Sequence, residues 1–197
     1  MTRPGLLIVL SGPSGVGKSK VLEGAARLLP NLCKSVSVTT RPPRPGEVDG
    51  QHYHFRSAEQ FDRIVAAGEF LEWARYIDHR YGTPCVWVEA HRARGEDVVL
   101  EIDAQGGRQV HALYPDTILV FVIPPTLAEL HRRLEGRNTE PAEVMARRLE
   151  AAKGELEIAR KEYDYIICND RLDEAVQDFV SILRAERCRP ARLQLDL

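Results

Sequence analysis

Gly12-Pro13-Ser14-Gly15-Val16-Gly17-Lys18-Ser19 is the most informative stretch of this 197-residue chain. It matches the pattern G-x-x-x-x-G-K-[ST], in which the backbone amides of a glycine-rich loop, the P-loop, surround phosphate groups. The apolar run Leu6–Leu10 before it predicts a buried strand, and apolar residues after it recur at helical spacing. The first amides of a helix lack intrahelical acceptors and attract an anion. We therefore predict a nucleoside triphosphate site, in which Lys18 neutralises the β- and γ-phosphates and the hydroxyl of Ser19 binds Mg²⁺.

The composition is that of an ordinary globular protein. Charged residues make up 28% of the chain, hydrophobic residues 44%, and the net charge is -2. This balance gives no electrostatic reason to expect nucleic acid or an anionic membrane as a partner. No apolar run approaches the ~20 residues of a membrane helix, and the first residues do not resemble a secretory signal. We expect a cytoplasmic protein, with a monomer and a homodimer as open alternatives.

Four nearly continuous apolar runs predict a parallel sheet, because strands that helices cover on both faces are apolar throughout. The runs are Leu6–Leu10, Val98–Ile102, Ile118–Ile123 and Tyr165–Cys168. Three helices are predicted in the second half of the chain. The first begins at a Thr126–Glu129 capping box and ends at Leu134, and the others cover Glu143–Glu162 and Leu172–Arg187. The alternation predicts a three-layer α/β core formed by residues 1–34, 90–125 and 163–187.

The segment 35–89 has a different pattern. Ser35–Thr40 alternates in the manner of a half-exposed strand, Arg41–Gly46 is a proline-rich turn, and Gln51–Phe55 is another short strand candidate. A capping box at Ser57–Gln60 precedes a helix that Gly68 ends. We expect a small mixed α/β insert with antiparallel strands, which faces the P-loop and holds a second substrate.

Two arginines of this insert indicate a second phosphate site. Arg41 and Arg44 are three residues apart and flanked by prolines, which restrict the backbone. Two guanidinium groups held in this way can clamp one phosphate, and the phenols of Tyr53 and Tyr81 can add hydrogen bonds. The alternative is that the arginines are solvated surface charges.

Glu72 is a candidate for recognition of a guanine base. Guanine presents its N1–H and 2-amino donors on one edge, and a carboxylate offers two acceptor oxygens in matching geometry. Glu72 stands among large apolar residues in the stretch Glu69–Trp73, where an unpaired carboxylate would be costly. The alternative is an exposed glutamate at the end of an amphipathic helix.

Seven stretches together resemble the guanylate kinase family, and they occur in order between Gly5 and Glu186. They are Gly12–Ser19, Ser35–Arg44, Gly46–Gly50, Gly68–Trp73, Tyr81–Pro84, Leu100–Gly106 and Arg133–Arg137. The combination of the P-loop with Ser-x-Thr-Thr-Arg-x-Pro-Arg and Glu-Ile-Asp-x-Gln-Gly is highly specific, although each piece alone is weak. The resemblance implies a P-loop kinase fold and the Mg²⁺-dependent transfer of a phosphoryl group from ATP to GMP.

The resemblance also implies roles for individual residues. The phosphate of GMP would be held by Arg41, Arg44, Tyr53 and Tyr81. Guanine would be read by Ser37, Glu72, Thr83 and Asp103. ATP would be bound by Gly12, Pro13, Ser14, Gly15, Val16, Gly17, Lys18, Ser19, Arg133, Arg137 and Asn169, the last of these near the adenine. The catalytic cations would be Lys18, Arg41, Arg137 and Arg148.

The resemblance further implies a helical lid. Arg133, Arg137 and Arg148 match arginines of a mobile lid that closes over the transferred phosphoryl group. The lid and its following helix would occupy residues 126–162. Residues 188–197 lie outside the match, and we expect them to form a frayed C-terminal tail.

The acidic pair Glu101 and Asp103 follows an apolar strand, as a carboxylate near Mg²⁺ would. Alternation along a strand would turn the two side chains to opposite faces, so that one assists Mg²⁺ through water and the other binds guanine. The resemblance favours Asp103 for the base. For Glu101, a buried carboxylate paired with a nearby arginine is the alternative.

Two other functions compete with phosphoryl transfer to GMP. Guanylate-kinase-like domains of scaffold proteins are inactive binding modules, but they usually have eroded P-loops, whereas Lys18 and Ser19 are both present here. A kinase for another nucleoside monophosphate or a sugar phosphate is the second alternative. Glu72 and Ser37 disfavour it, because uracil and thymine lack the paired donors of guanine.

Overall fold

A computed structural model describes residues 4–76, 78–135 and 142–192 of the chain. In chain order the elements are β1 Leu7–Ser11, α1 Lys18–Leu28, β2 Leu32–Lys34, β3 Val38–Thr39, β4 His54–Phe55, α2 Ala58–Ala66, β5 Phe70–Tyr76, β6 His79–Pro84, α3 Cys85–Ala93, β7 Asp97–Leu100, α4 Ala104–Leu113, β8 Ile118–Ile123, α5 Leu127–Glu135, α6 Ala142–Glu162, β9 Tyr165–Cys168 and α7 Leu172–Arg187, followed by a 3₁₀ turn at Pro190–Arg192.

The larger sheet has five parallel strands in the order β2-β7-β1-β8-β9. Its central strand β1 is fully buried, and Ile8 pairs with Val99 on one side and Ile118 on the other. The predicted parallel sheet is therefore confirmed. The three-residue strand β2 was not predicted, because it is too short to give a periodic signal.

Helices cover both faces of this sheet, which gives the predicted three layers. On one face Ile8 and Leu10 pack with residues of α1 and α7, among them Val21 and Phe179. On the other face Leu7 and Val9 pack with residues of α3 and α4. The alternation of side chains along β1 thus divides the core into two apolar clusters.

The smaller sheet forms most of the insert and has the strand order β4-β3-β6-β5. The pairs β3–β6 and β5–β6 are antiparallel, as expected, but β3 and β4 pair in parallel, which was not expected. The reason lies in the long turn after β3, which brings the chain back to the start of that strand before β4 begins. The Ser57–Gln60 capping box is confirmed at the start of α2.

Helices α3 and α6 pack the segments predicted as insert and lid against the core. Helix α3 crosses the predicted insert boundary at residue 89 and buries Val88 in the core. The last turns of α6 bury Ala159 against Phe121 of β8. Thr126 caps α5, but only half of the capping box forms, because the Glu129 carboxylate pairs with arginines of its own helix.

The start of the C-terminal tail is attached to the core, contrary to the expected fraying. Arg192 forms an ion pair with Glu186 at 3.1 Å and donates to the carbonyl of Asp116 at 2.9 Å. No helix in the described part of the chain is both long enough and apolar enough to cross a membrane.

Replacing Asp97 by Ala should destabilise the fold, because Asp97 connects the residue before β1 to the last residue of α7. Its buried carboxylate accepts from the Leu6 N–H at 2.9 Å and pairs with Arg187. The change leaves a buried N–H unpaired, and we expect a loss of about 2–3 kcal/mol in the free energy of unfolding, measured by urea titration. The matched control is Asp116→Ala, which removes an exposed partner of Arg92 and should cost less than about 1 kcal/mol. Equal losses would contradict this account of Asp97.

Candidate active site

The P-loop joins the end of β1 to the start of α1. At Gly12, where φ is 142°, a Cβ would lie 2.3 Å from a carbonyl oxygen of β8, so no other residue fits. Lys18 is the first residue of α1, and its Nζ donates to the carbonyls of Gly12 and, at 3.3 Å, of Pro13. The loop thus curls around the ammonium group and leaves the first amides of α1 at its mouth.

Ser19 meets a carboxylate at the end of the neighbouring strand. Its hydroxyl donates to Glu101 Oε1 at 2.7 Å, while Lys34 Nζ lies 2.6 Å from Glu101 Oε2. Burial opposes ionisation of Glu101, but the charges of Lys34 and Lys18 and these hydrogen bonds outweigh it and lower its pKa. Glu101 is therefore an ionised, paired carboxylate, and its partner is a lysine instead of the arginine that we had considered.

Asp103 lines the same cleft as Glu101, beyond the end of β7. Strand β7 ends at Leu100, so the alternation of strand side chains does not continue to these residues, and both line one cleft. Glu101 bonds to Ser19 of α1, whereas Asp103 caps α4, and these two helices cover opposite faces of the sheet. Asp103 caps α4 by accepting from the Gly106 N–H at 2.8 Å. Burial raises its pKa, although the backbone hydrogen bonds partly offset this effect.

The predicted arginine clamp is organised by a glutamate. Arg41 is buried, and its NH2 donates to Glu47 Oε1 at 2.8 Å, while the Arg44 N–H donates to Glu47 Oε2 at 2.7 Å. The guanidinium of Arg41 also lies over the Tyr53 ring, 5.4 Å from its centroid. Glu47 thus fixes both the turn and the side chain of Arg41, which excludes the alternative of a freely solvated charge for that residue.

The two predicted phenols lie beside this clamp. The rings of Tyr53 and Tyr81 meet edge to face with centroids 5.9 Å apart. Burial raises the pKa of Tyr53 to about 12, so its hydroxyl keeps its proton and can donate to an anion. Ser37, which precedes β3, is also buried at the same cleft.

Glu72 lies on strand β5, not at a helix end, and it is 4% exposed. Thr83 on the neighbouring strand is fully buried and donates its hydroxyl to Glu72 Oε1 at 2.6 Å. Burial raises the pKa of Glu72 to about 7, and the hydrogen bond from Thr83 offsets part of this effect. Because its hydroxyl donates to Glu72, Thr83 positions this carboxylate. The contact of Thr83 with guanine that the family resemblance implies stays a prediction.

Asn169 and Arg133 both contact the P-loop. The Asn169 side-chain amide donates to the Val16 carbonyl at 2.7 Å. Arg133 of α5 donates to the Asn169 carbonyl at 3.0 Å and lies 3.4 Å from the Val16 carbonyl oxygen. Arg137 lies outside the described residues, and of Arg148 only the helical backbone of α6 is described.

The structure brings most of the predicted residues together in one cleft between the sheet edge, the insert and the end of α5. Among those that line it are Gly12, Ser14, Gly15, Val16, Gly17, Lys18, Ser19, Ser37, Arg41, Arg44, Tyr53, Glu72, Tyr81, Asp103, Arg133 and Asn169. The P-loop and the arginine clamp face each other across this cleft.

The lining also contains residues that the sequence analysis did not place in the site, among them Lys34, Glu47 and Glu155. Glu47 had a signal, since it lies three residues after Arg44 in the stretch Gly46–Gly50. Lys34 had none, because its partner Glu101 lies 67 positions away in the sequence, and no residue near Glu155 in the sequence indicates that Glu155 lines the cleft. Burial raises the pKa of Glu155 to about 7, and its Oε2 has no hydrogen-bond partner among the described residues.

Comparisons with known proteins agree with this geometry. The family model described as Guanylate kinase matches residues 5–186. A protein named "Guanylate kinase" from Thermobifida fusca (strain YX) is 51% identical over 183 residues, which are 93% of this chain and 93% of that relative. Another of this name, from Desulfitobacterium hafniense (strain Y51), is 48% identical over 188 residues, covering 95% of this chain and 94% of the relative.

A solved structure agrees as well. The crystal structure of guanylate kinase from Anaplasma phagocytophilum matches with a TM-score of 0.79 at 32% identity, covering 97% of this chain and 90% of that chain. The similarity therefore includes both the core and the insert.

Replacing Glu72 by Gln should remove part of the pH dependence of stability. The pKa of Glu72 is about 7 in the folded protein and about 4.3 in an unfolded chain. Between these values the folded protein binds a proton that the unfolded chain has released. The stability that Glu72 contributes is therefore fully present below about pH 4 and is lost as the pH rises through 7. We expect Glu72→Gln to gain about 2 kcal/mol relative to the unmodified chain between pH 5 and pH 8.

Urea titrations at several pH values check this expectation. The glutamine oxygen can still accept from Thr83, so the change isolates the charge. The control is Glu69→Gln, which alters an exposed carboxylate just before the same strand. If the free energies of unfolding of Glu72→Gln and the unmodified chain differ by the same amount at every pH, the pKa of Glu72 is not raised in the folded protein.

Proposed function

The chain belongs to the guanylate kinase family, and we propose that it transfers the γ-phosphoryl group of ATP to GMP, giving ADP and GDP. The observation that carries the proposal is the placement of two phosphate sites across one cleft. The P-loop lies on one side, and the Arg41 turn with the buried Glu72 lies on the other. A triphosphate and a nucleoside monophosphate can therefore meet with their phosphates face to face.

The guanine base of GMP is recognised by hydrogen-bond acceptors in a buried part of the cleft. Guanine offers the N1–H and 2-amino donors to Glu72, and Asp103 and Ser37 lie at the same cleft. Thr83 holds the Glu72 carboxylate in place, so little reorganisation is needed on binding. A base without the paired donors would leave buried carboxylate oxygens unpaired, which is costly.

The phosphate of the acceptor binds at the clamp. Arg41 and Arg44 supply positive charge, and Tyr53 and Tyr81 supply hydroxyl donors. Glu47 holds the Arg41 guanidinium and the Arg44 backbone before the substrate arrives. It therefore acts as a positioning residue for the clamp.

Phosphoryl transfer needs little covalent chemistry from the protein. The GMP phosphate is itself the nucleophile, so no general base is required, and catalysis comes from in-line positioning and from neutralising charge on the equatorial oxygens. Lys18 supplies that charge from the P-loop side, while Arg41 serves the acceptor side. Arg137 and Arg148 would complete the charge from the lid in a site closed to water.

The residues at the end of β7 fit a magnesium ion that arrives with ATP. Mg²⁺ takes oxygen ligands and in kinases is held by one or two protein groups together with phosphates and water. Ser19 would supply its hydroxyl, and the ionised Glu101 would act through water, with Asp103 as the alternative. The ion would neutralise the β- and γ-phosphates. In the described part of the chain no cluster of three His, Cys, Asp or Glu side chains forms a separate metal cage.

The alternative functions have less support. An inactive binding module would not need the P-loop lysine, the Ser19–Glu101 pair and the clamp in one cleft. A kinase for uridine or thymidine monophosphate would not need a buried carboxylate facing the base. Both alternatives predict different outcomes in the assays that follow.

The purified protein should release ADP from ATP rapidly with GMP and at least 100-fold more slowly with AMP, UMP or dTMP, because only guanine satisfies the buried acceptors. An assay coupled to ADP release measures the rates. Glu72→Ala should abolish the preference for GMP. Equal rates with all four acceptors, or no turnover with GMP, would refute the assignment.

Lys18→Met should reduce kcat by at least 1,000-fold while leaving GMP binding unchanged. The variant removes the charge that neutralises the transferred phosphoryl group but leaves the acceptor site intact. Turnover is measured with the same assay, and GMP affinity by calorimetry without ATP. Lys161→Met, which changes an exposed lysine at the end of α6, is the control. Loss of both turnover and GMP binding would indicate misfolding and would not support the role of Lys18.

A further inference from the structure

We propose that Asn169 and Arg133 are positioning residues of the P-loop, which they hold through the carbonyl group of Val16. The inference rests on the ATP site proposed above and assigns to Asn169 a task different from the one that the family resemblance implied. It is carried by hydrogen bonds from two separate elements that meet on one peptide group of the loop.

Asn169 is anchored on both sides. It follows strand β9, its N–H donates to the Ile123 carbonyl at 2.8 Å, and it is 6% exposed. Its side-chain nitrogen donates to the Val16 carbonyl at 2.7 Å. A short hydrogen bond from a buried residue at the end of a core strand ties the middle of the P-loop to the sheet.

The adjoining glycine is adapted to this contact. Gly17 has a φ of 100°, and a Cβ at this position would lie 2.5 Å from Asn169 Nδ2. The motif therefore has glycine here for two reasons, since a side chain would strain the backbone and would also displace the Asn169 amide.

The contact with Asn169 fixes the orientation of the Gly17 N–H, which is a potential donor to phosphate. The Val16 carbonyl and the Gly17 N–H belong to one planar trans peptide, so they point in opposite directions. Because Asn169 binds the carbonyl, the Gly17 N–H is turned away from β9 and toward the mouth of the loop. A P-loop binds phosphate through such amides, and Asn169 holds this amide in orientation before ATP arrives.

Arg133 brings the lid side of the cleft to the same peptide. Its NH1 lies 3.4 Å from the Val16 carbonyl oxygen and donates to the Asn169 carbonyl at 3.0 Å. Its Nε donates to Glu129 Oε1 at 2.6 Å, which orients the guanidinium from within α5. Helix α5 is thus connected to the phosphate-binding loop through one arginine.

Ligands with and without a base distinguish a loop-positioning role of Asn169 from a contact with adenine. If Asn169 reads adenine, its replacement weakens ATP selectively. If Asn169 holds the loop, its replacement weakens every polyphosphate ligand by the same factor, including one without a base. Tripolyphosphate is such a probe, and its inhibition constant against ATP reports on the loop alone.

Asn169→Asp is the primary variant, because it keeps the shape of the side chain and replaces the donor to Val16 by an oxygen. We expect kcat/KM for ATP to fall about 10- to 100-fold and tripolyphosphate binding to weaken by a similar factor. The same loss is expected with GTP as the donor. The affinity for GMP, measured by calorimetry, should stay within twofold of the unmodified chain, which shows that the protein is folded.

Two further variants complete the test. Asn169→Ala removes the donor without adding an oxygen and should give the smaller loss of the two. Asn31→Asp makes the same chemical change on an exposed asparagine and should have no effect. A loss with ATP but not with tripolyphosphate would overturn the proposal in favour of an adenine contact. Unchanged kinetics, or loss of GMP binding in both Asn169 variants, would also overturn it.

A double-variant cycle tests the part of Arg133. Asn169→Ala and Arg133→Met remove two donors to the same peptide, so their combined effect on tripolyphosphate binding should be smaller than the product of the single effects. Effects that multiply would mean that Arg133 acts elsewhere. The unmodified chain is assayed separately for GMP phosphorylation. No activity in that assay would refute the proposed function, not the role of Asn169.

Discussion

Parallel pairing of β1 with β7 and β8 is the interaction on which the site depends. Parallel strands end at the same edge of a sheet, and here the ends of β1, β7 and β9 deliver functional groups to that edge. The P-loop follows β1, Glu101 and Asp103 follow β7, and Asn169 follows β9. These residues are far apart in the sequence, and only the sheet brings them together. The apolar strands of the core therefore stabilise the fold and also determine the geometry of the cleft.

The electrostatic state of the cleft depends on which carboxylates have a cationic partner. Glu101 is ionised because Lys34 and Lys18 lie near it, whereas burial raises the pKa of Glu72, whose partner Thr83 is neutral. The first arrangement suits a cation bound to phosphates, and the second suits a base that brings hydrogen-bond donors. The same residue type thus serves the two substrates because the fold surrounds it differently on each side of the cleft.

The sequence predicted those parts of the molecule whose cause is local. The P-loop, the long apolar strands and the Ser57 capping box each follow from neighbouring residues, and the structure has them where they were expected. Strand β5 was not predicted, because Glu72 and Arg75 interrupt its apolar character and its pairing with β6 is what stabilises it. The Lys34–Glu101 pair joins residues 67 positions apart, and no pattern in the sequence indicates it. The bond from Thr83 to Glu72 could not be predicted for the same reason, since it forms only when β5 and β6 pair.

The clamp and the P-loop share one principle of construction. On the acceptor side Glu47 binds the Arg41 side chain and the Arg44 backbone, and on the donor side Asn169 and Arg133 meet at the Val16 carbonyl. In each case a buried or half-buried group fixes the atoms that meet phosphate, so that the cost of ordering them is met during folding and not during binding. This matters most for a transition state stabilised by charge and alignment. Ordering a flexible cation costs conformational entropy, and that cost reduces the net stabilisation which the cation provides. The supporting residues therefore belong to the function of the cleft even where they touch no substrate.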